Sequence, residues 1–335
     1  MGLTVAVTGP TGEVGTSFIE ALERASGVDR ILGMARRPFD PAARGWARTR
    51  YRQGDVLDRA AVDALVEEAD VVVHLAFLIL GSHAQTSRVN LAGARTVFEA
   101  TVAASRPSRL VYTSSVAAYG YHGDNPLPLT EDVATRGSSE HYYSRQKAQS
   151  EALLREVTDG SGLEVYVLRP CIVAGPTATV LADSMPWNQA GPAVASLLRA
   201  GGGLAPLLRP LLPDPGVPLQ LVHPDDLAAA GTAAVLGTGP PGAYNVAGRG
   251  EVSLSEVAQA LGGRGVRVPR VVAAAASAAV ARAPWTPAML EWVHVARTSV
   301  VMDTSRATRE LGWSPRYTSR EALTAMAEAV AGRRR

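Results

Sequence analysis

Thr8-Gly9-Pro10-Thr11-Gly12-Glu13-Val14-Gly15 is the stretch that decides the fold of this 335-residue chain. It follows a short apolar run that is rich in β-branched residues, and it opens a segment, 13–24, whose apolar residues recur at helical spacing. These patterns predict a strand, a glycine turn and a helix. Glycines at such a turn let the backbone approach a pyrophosphate, which the free N–H groups of the helix N-terminus bind. The stretch therefore predicts a dinucleotide-binding unit, and the alternative is a purely structural turn.

The alternation of strands and helices continues along the first half of the chain. Strands are predicted at 3–8, 30–35, 50–53, 71–75, 110–113 and 164–168. Helices are predicted at 59–68, where Asp58 is the N-cap, at 89–104 and at 141–157. Apolar strands that alternate with helices form a parallel sheet covered on both faces. The fold class predicted is α/β, a doubly wound parallel sheet of Rossmann type.

Beyond Arg169-Pro170 the composition changes, because clusters of Pro and Gly run through 174–218. A helix is predicted at 225–236, and Ser253 and Glu256 have the spacing of a capping box that opens another at 257–261. We therefore assign residues 1–170 plus 219–236 to a dinucleotide-binding domain. Residues 171–218 and 237–335 are assigned to a smaller substrate-binding lobe.

Composition argues against several classes of partner. The formal net charge is +2 and the one basic run is the C-terminal tail, so no nucleic acid is expected. The longest apolar stretch, 271–281, is too short to cross a bilayer, so no membrane is expected. Cys171 is the one cysteine and the N-terminus leads directly into a strand, which favours a cytoplasmic protein. No metal-binding pattern is predicted.

Lys147 is the one lysine in a chain whose other basic residues are all arginine. A codon bias explains the arginines, but Tyr143 lies four residues before Lys147, so both side chains project from one face of the predicted helix. A tyrosine of pKa about 10 is a poor base at neutral pH, and a nearby ammonium group lowers that pKa. The pair predicts proton transfer by Tyr143, and the alternative is an ordinary helix face.

Ser115 follows the 110–113 strand, at the edge of the sheet where doubly wound folds bind ligands. With this hydroxyl the chain resembles the extended short-chain dehydrogenase/reductase family, in its epimerase/dehydratase-like branch, over nearly its whole length. The resemblance is carried by the glycine turn, His74-Leu75-Ala76, Asn90 with Gly93, Ser115, Tyr143, Lys147, Arg169-Pro170 with Gly175-Pro176, the 222–228 segment, Tyr244-Asn245-Val246, and Leu311-Gly312-Trp313-Ser314-Pro315.

The resemblance implies roles for individual residues. Tyr143 is implied to be the general acid/base and Ser115 to position the reacting oxygen. Lys147 is implied to tune Tyr143 and to contact the nicotinamide ribose, while Asn90 orders a water relay. The residues implied to bind the cofactor are Gly9, Thr11, Gly12, Glu13, Val14 and Gly15 at the pyrophosphate, Asp55 and Val56 at the adenine, and Leu75, Ala76, Phe77, Tyr143, Lys147 and Pro170 along the cleft. Relatives often dimerise through paired helices, so a homodimer is implied as well.

The end of the second strand favours NADP(H) over NAD(H). An NAD-preferring site places a carboxylate there for the ribose hydroxyls, whereas this chain has Ala35 followed by Arg36 and Arg37. Guanidinium groups bind a 2′-phosphate, often in a bidentate manner. The alternative for this arginine pair is a solvated loop, with NAD as the cofactor.

Departures from the family narrow the reaction. Val116 and Ala117 stand where dehydratase members of the family carry an Asp-Glu pair, which argues against dehydration. No arginine stands on the approach to the 222–228 segment, where nucleotide-sugar members hold a diphosphate. Apolar residues instead populate the lobe and the loop after the fourth strand, namely Trp187, Leu204, Leu207, Leu208, Leu211, Leu212, Trp285, Trp292 and the 77–80 segment.

We therefore predict an enzyme that uses NADP(H) to interconvert a ketone and a secondary alcohol of a small, mainly apolar metabolite. The alternatives are a sugar or nucleotide-sugar epimerase and a non-catalytic NAD(P)-binding regulator. His74 is predicted to be a packing residue rather than a base, Cys171 a small core residue rather than a nucleophile, and His223 part of a helix cap.

Overall fold

The computed structural model describes residues 2–79, 82–185, 187, 209–269, 272 and 298–333. Its centre is a seven-stranded sheet in which neighbouring strands run parallel. Numbered in chain order together with the shorter strands of the lobe, these seven are β1 (Leu3–Thr8), β2 (Val28–Ala35), β3 (Thr49–Gln53), β4 (Val71–His74), β5 (Arg109–Thr113), β6 (Glu164–Pro170) and β10 (Gly242–Val246). The order across the sheet is β10-β6-β5-β4-β1-β2-β3, which confirms the predicted doubly wound α/β fold.

The described helices are numbered in the same way. They are α1 (Glu13–Arg24), α2 (Arg59–Val66), α3 (His83–Ser87), α4 (Gly93–Ala103), α5 (Tyr142–Thr158), α6 (Val180–Asp183), α7 (Pro224–Leu236), α8 (Leu254–Ala260), α9 (Ser305–Leu311) and α10 (Ser319–Gly332). The predicted helix at 89–104 begins with a π-helical turn over Arg88–Ala92 before α4. The apolar stretch 271–281 lies, apart from Val272, outside the described residues.

Side chains of alternate strand residues enter two separate cores. Val5 and Val7 of β1 pack with α1 and α7, while Ala6 packs on the opposite face with α2, α4 and α5. Because β1 and β4 are covered on both faces, their sequences are largely apolar runs. Helices α1 and α7 approach closely at Gly231, where a Cβ atom would overlap the ring of Phe18.

In the described residues of the lobe, two short parallel pairs of strands pack with the helices α6, α8 and α10. Strand β7 (Ile172–Val173) pairs with β9 (Leu221–Val222), which lies in the 219–236 segment that was assigned from the sequence to the dinucleotide-binding domain. Strand β8 (Leu211–Asp214) pairs with β11 (Arg264–Arg267). Helices α6, α8 and α10 share one apolar cluster with these strands. The predicted capping box is confirmed, since Ser253 caps α8 and Glu256 bonds back to the Ser253 N–H.

Strand β10 differs from the sequence-based division of the chain. Residues 242–246 were assigned to the lobe, but they pair with β6 and extend the central sheet. The strand follows Gly239-Pro240-Pro241 and is only five residues long, so its pattern resembles that of the loops around it. Pairing with a distant strand decides its structure, and a local pattern does not carry that information.

The sheet brings the ends of three strands together. Thr8 of β1 is in register with His74 of β4, and His74 is in register with Tyr112 of β5. The glycine turn, the 75–79 segment and Ser115 therefore emerge side by side at the carboxyl edge of the sheet. In the described part of the chain, every helix falls short of the length and apolar character needed to cross a membrane.

Candidate active site

A cavity of about 600 Å³ opens at this edge, and Ser115, Tyr143 and Lys147 all line it. Ser115 has an extended backbone and caps the 3-10 turn Val116–Tyr119, where its Oγ accepts a 3.2 Å hydrogen bond from the Ala117 N–H. Tyr143 and Lys147 project from the first turns of α5, whose N-cap is His141. The structure thus brings the three predicted catalytic side chains into one site.

Ser115 and Tyr143 both line the cavity. Burial raises the pKa of Tyr143 above its usual value, and the hydroxyl of Ser115 opposes that rise only in part. Lys147 was expected to lower the pKa of Tyr143, but in this structure that pKa is raised. The reason is geometric: Lys147 Nζ lies 5.9 Å from the centre of the Tyr143 ring and bonds elsewhere.

Lys147 is 3% exposed, and its Nζ donates a 2.9 Å hydrogen bond to the Thr113 carbonyl at the end of β5. The same atom lies 3.6 Å from the centre of the Phe77 ring, a cation–π contact. Burial lowers the pKa of the amine to about 7, and the carboxylate of Glu151 one helical turn later opposes this shift. The amine of Lys147 therefore gains or loses its proton near neutral pH.

Glu151 is a buried group that the sequence reasoning missed. Its carboxylate accepts hydrogen bonds from Ser114 Oγ at 2.6 Å and from Arg169 Nη2 at 2.7 Å. Glu151 is four residues after Lys147, so the spacing that identified the Tyr143–Lys147 face also includes Glu151. The ion pair ties α5 to β6 directly beneath the catalytic pair.

Asn90 makes contacts that differ from the expected water relay. Its Oδ1 accepts a 2.7 Å hydrogen bond from the Leu78 N–H, and its Nδ2 donates to the Leu78 carbonyl at 2.9 Å and to Gln146 Oε1 at 2.8 Å. Both hydrogens of the amide are thereby used. The side chain of Asn90 clamps the loop after β4 onto α5.

The glycine turn is tight, and its backbone packs closely against neighbouring backbone. Gly9 has a φ of +77°, and a Cβ atom there would lie 2.9 Å from Ala76 Cα, so no side chain fits. A Cβ atom at Gly15 would collide with the Gly9 carbonyl. Gly12, the N-cap of the 12-residue helix α1, has no side chain to cap the free N–H groups of the first turn. Gly9, Gly12, Val14 and Gly15 line the cavity, whereas Thr11 is exposed beside it.

Glu13 lines the cavity but turns its carboxylate toward the lobe. Oε1 accepts hydrogen bonds from the N–H groups of Thr179 at 2.9 Å and Val180 at 3.0 Å. Burial raises the pKa of this carboxyl, and the two backbone bonds oppose the rise. The first turn of α1 is thus fastened to α6, and Glu13 offers only its backbone to a cofactor.

At the far end of the cavity, Arg37 is exposed and lines the wall, while Arg36 is exposed but is not a lining residue. The Tyr51 hydroxyl donates to the carbonyls of Ala35 at 2.8 Å and of Arg37, which fixes the backbone that carries these side chains. Asp55 accepts a 3.1 Å bond from the Leu57 N–H, and Val56 is buried. Among the other predicted cleft residues, Leu75, Phe77 and Pro170 line the cavity, and Ala76 packs against Gly9.

Three residues of chemically reactive type were predicted to have structural rather than catalytic roles. His74 is buried, its Nδ1 lies 2.7 Å from Thr8 Oγ1, and burial lowers its pKa to about 3. Burial raises the pKa of the Cys171 thiol, so this residue is a poor nucleophile although it lines the cavity. His223 caps α7 by accepting from the Asp225 N–H and stacks on Tyr317 with ring centres 4.0 Å apart.

The proposed apolar residues of the lobe are partly described. Trp187 is buried in the cluster of the lobe and donates its indole N–H to the Leu261 carbonyl, so it is a structural residue. Leu211 is exposed and Leu212 packs on the same cluster. The remaining five, Leu204, Leu207, Leu208, Trp285 and Trp292, lie outside the described residues, as does Leu80 of the 77–80 loop.

Comparisons with known proteins agree with this geometry. The model of the NAD dependent epimerase/dehydratase family matches residues 5–247. An uncharacterised protein of Sinorhizobium fredii is 27% identical and is matched over 96% of this chain and 76% of its own length. Sterol demethylase protein B of Methylococcus capsulatus is 31% identical over 52% of each chain. UDP-glucose 4-epimerase of Thermotoga maritima shares the fold, with a TM-score of 0.71 at 17% identity over 99% of this chain and all of that one.

Proposed function

Because the chain belongs to the NAD dependent epimerase/dehydratase family and is an NAD(P)-dependent enzyme of the extended short-chain dehydrogenase/reductase type, we propose that it interconverts a ketone and a secondary alcohol. The substrate is a small, mainly apolar metabolite. Tyr143 moves the proton, and Ser115 holds the reacting oxygen.

The observation that carries this proposal is the lining of the cavity around Tyr143. The described residues there are largely apolar or aromatic, namely Phe77, Leu78, Ile79, Val116, Tyr121, Ile172, Val173 and Leu181. Of the described lining residues, only Arg37 and Lys147 are cationic; Arg37 follows β2, and Lys147 is bonded to Thr113. A nucleotide sugar brings a diphosphate that needs cationic partners, whereas a hydrocarbon framework suits this wall.

Each residue of the site has its own role in the proposed reaction. When bound, the nicotinamide cofactor supplies or accepts the hydride. Tyr143 is protonated in the resting site, because its pKa lies above 10, and it donates its proton to the oxygen of a ketone in the reducing direction. Ser115 hydrogen-bonds the same oxygen and orients it, while Lys147 supplies positive charge behind Tyr143.

The glycine turn would hold the pyrophosphate, and Arg37, assisted by Arg36, would hold a 2′-phosphate. The absence of a carboxylate at Ala35 and the position of Arg37 on the cavity wall support NADP(H) over NAD(H). We also propose that the protein is a homodimer, an expectation that rests on the family resemblance and is tested by sedimentation of the purified protein.

Sterol chemistry fits the proposed substrate class. The matched protein of M. capsulatus is named a sterol demethylase protein, and a sterol carries a secondary alcohol on an apolar ring system. Ring alcohols and ring ketones are therefore the first substrates to test.

An epimerase is the second candidate, since the family name and the T. maritima enzyme that shares the fold both point to it. A non-catalytic regulator is disfavoured, because Ser115, Tyr143 and Lys147 meet in one cavity. The discriminating experiment incubates the protein with NADPH and a panel of ring ketones, and in parallel with nucleotide sugars. Loss of NADPH absorbance with the ketones supports the proposal; an isomerised sugar with unchanged cofactor would overturn it in favour of the epimerase.

A further inference from the structure

Phe77 occupies an unusual position between the two catalytic side chains. Its ring face meets Lys147 Nζ at 3.6 Å, and its ring packs edge-on against Tyr143 with centres 5.5 Å apart. Phe77 also lines the cavity. One aromatic ring therefore contacts both members of the pair.

The loop that carries Phe77 is held in place by polar contacts. Asn90 bonds both the N–H and the carbonyl of Leu78, and it is itself held by Gln146 on α5. The Tyr142 hydroxyl donates to the carbonyl of Ile79. These contacts anchor the residues that follow Phe77 to the helix that carries Tyr143 and Lys147, so the ring and the catalytic pair keep their relative positions.

The remaining side of the Tyr143 ring is aromatic as well. His141 packs edge-on against it with centres 6.2 Å apart, and Tyr121 packs edge-on against His141 at 5.3 Å. His141 Nδ1 accepts from the Ser144 N–H, so the proton of a neutral imidazole is on Nε2. Phe77 differs from His141 and Tyr121 in that its side chain has no polar atom.

We infer that Phe77 is a specificity-determining residue, whose ring forms an apolar cover over the Tyr143–Lys147 pair and selects substrates in which the reacting carbon belongs to a hydrocarbon ring. This inference rests on the proposed function and names its substrate class. A polyhydroxylated ring in the same place would press hydroxyl groups against Phe77, where they find no partner, and each hydroxyl buried without a partner costs about 1–3 kcal/mol.

The position of the Phe77 ring over Lys147 has a second consequence, which can be measured without enzyme turnover. It keeps water from Lys147, whose amine has the Thr113 carbonyl as its hydrogen-bond acceptor. Replacing the ring by a polar side chain would bring solvent to the amine and return its pKa toward the ordinary value. Because the chain has one lysine, amine-reactive reagents report on Lys147 and on the N-terminus alone.

The test uses two substitutions that share one branched side-chain skeleton, Phe77→Leu and Phe77→Asn, and that differ chiefly in polarity. We measure kcat/KM for cyclohexanol and for inositol with the preferred cofactor, after checking both variants by thermal unfolding. Phe77→Leu should keep the preference for cyclohexanol within about threefold, and Phe77→Asn should reduce it by about 10- to 100-fold, the range for one apolar contact in a pocket. Equal preferences in the two variants would overturn the inference.

Acetylation of the cofactor-free proteins across the pH range, followed by mass spectrometry, gives the pKa of Lys147 independently of any reaction. The inference expects a rise of about one unit or more in Phe77→Asn relative to Phe77→Leu. If the wild-type protein oxidises neither alcohol, the proposed function fails while this measurement still tests the cover. If the pKa of Lys147 is the same in both variants, the ring of Phe77 does not shield the amine from water.

Discussion

Lys147 Nζ donates a 2.9 Å hydrogen bond to the Thr113 carbonyl, and this bond aligns the lysine with the end of β5. An arginine at position 147 keeps the positive charge. Its planar guanidinium group with several donors needs more room, however, and Lys147 is only 3% exposed and packs against the ring of Phe77. We expect Lys147→Arg to fold and to lose at least about tenfold in kcat/KM, an effect of about 1.4 kcal/mol on the transition state. Normal turnover in this variant would mean that the single lysine is an accident of composition.

Lys147 should also lower the stability of the protein. Its folded-state pKa is about 7 and its ordinary value is 10.5, so the unfolded chain binds more protons between these values and stability rises with pH there. Lys147→Met removes the buried charge and should stabilise the protein by on the order of 2–4 kcal/mol at pH 6. That gain should shrink as the pH is raised from about 7 toward 10, as measured by urea unfolding.

Arg145→Met serves as the control for this measurement, since Arg145 lies on the same helix and is exposed. It should change the free energy of unfolding by less than about 1 kcal/mol, without a trend over the same pH range. A Lys147→Met protein that is less stable than wild type at pH 6 would contradict the assignment of a strained, buried amine.

Tyr143→Phe removes the proton donor and leaves the ring that packs against Phe77 and His141. Loss of general acid/base catalysis costs about 10²- to 10⁴-fold in rate, and we expect kcat to fall by that amount with little change in the melting temperature. Stopped assays with the best ring ketone and NADPH provide the measurement. Turnover that survives in Tyr143→Phe would remove Tyr143 from the acid/base role.

Arg37→Ala should distinguish the two cofactors. Without the guanidinium group, KM for NADP(H) should rise by about 10- to 100-fold, the value of one or two charge-assisted hydrogen bonds, while KM for NAD(H) should stay within about twofold. Arg44→Ala is the matched control, because Arg44 is an exposed arginine that follows the same strand and is not among the lining residues of the cavity. Equal effects of Arg37→Ala on both cofactors would argue for NAD.

Asn90→Ala should loosen the loop that carries Phe77. The substitution leaves the N–H and carbonyl of Leu78 and the amide of Gln146 without this partner, which costs about 1–3 kcal/mol of stability for a buried polar group. Urea unfolding measures that loss, with Asn125→Ala as the partly exposed control expected to cost less than about 1 kcal/mol. If Asn90 served a water relay alone, kcat would fall while stability stayed the same.

Much of the sheet could be predicted from the sequence, because parallel strands buried on both faces are apolar runs that local patterns identify. Strand β10 could not, since its five residues become a strand only by pairing with β6. Sequence spacing also identified Tyr143 and Lys147 as neighbours on one helix face. It gave no indication that Lys147 turns to a backbone carbonyl, because every residue has one and Thr113 carries no distinguishing side chain.

In the candidate site, too, some features could be predicted from the sequence and others are decided only by the tertiary fold. Phe77 was expected to line the cleft, but its packing on Lys147 follows from the way in which Asn90 folds the loop, through contacts 12 residues apart. Glu13 was expected at the pyrophosphate by its place in the glycine turn, yet its side chain bonds to residues 166 and 167 positions further along the chain. Long-range contacts of this kind are set by the tertiary fold and leave no local signature.

The bond between Glu13 and the start of α6 also bears on how the protein can be divided. A fragment that ends near residue 170 would keep the glycine turn and the first six strands of the sheet but lose the two amides that hold this carboxylate. The freed negative charge would then stand on the first turn of α1, next to the place that receives the phosphates. We therefore expect the lobe to hold this carboxylate away from the glycine turn, an effect that a fragment without the lobe would lack.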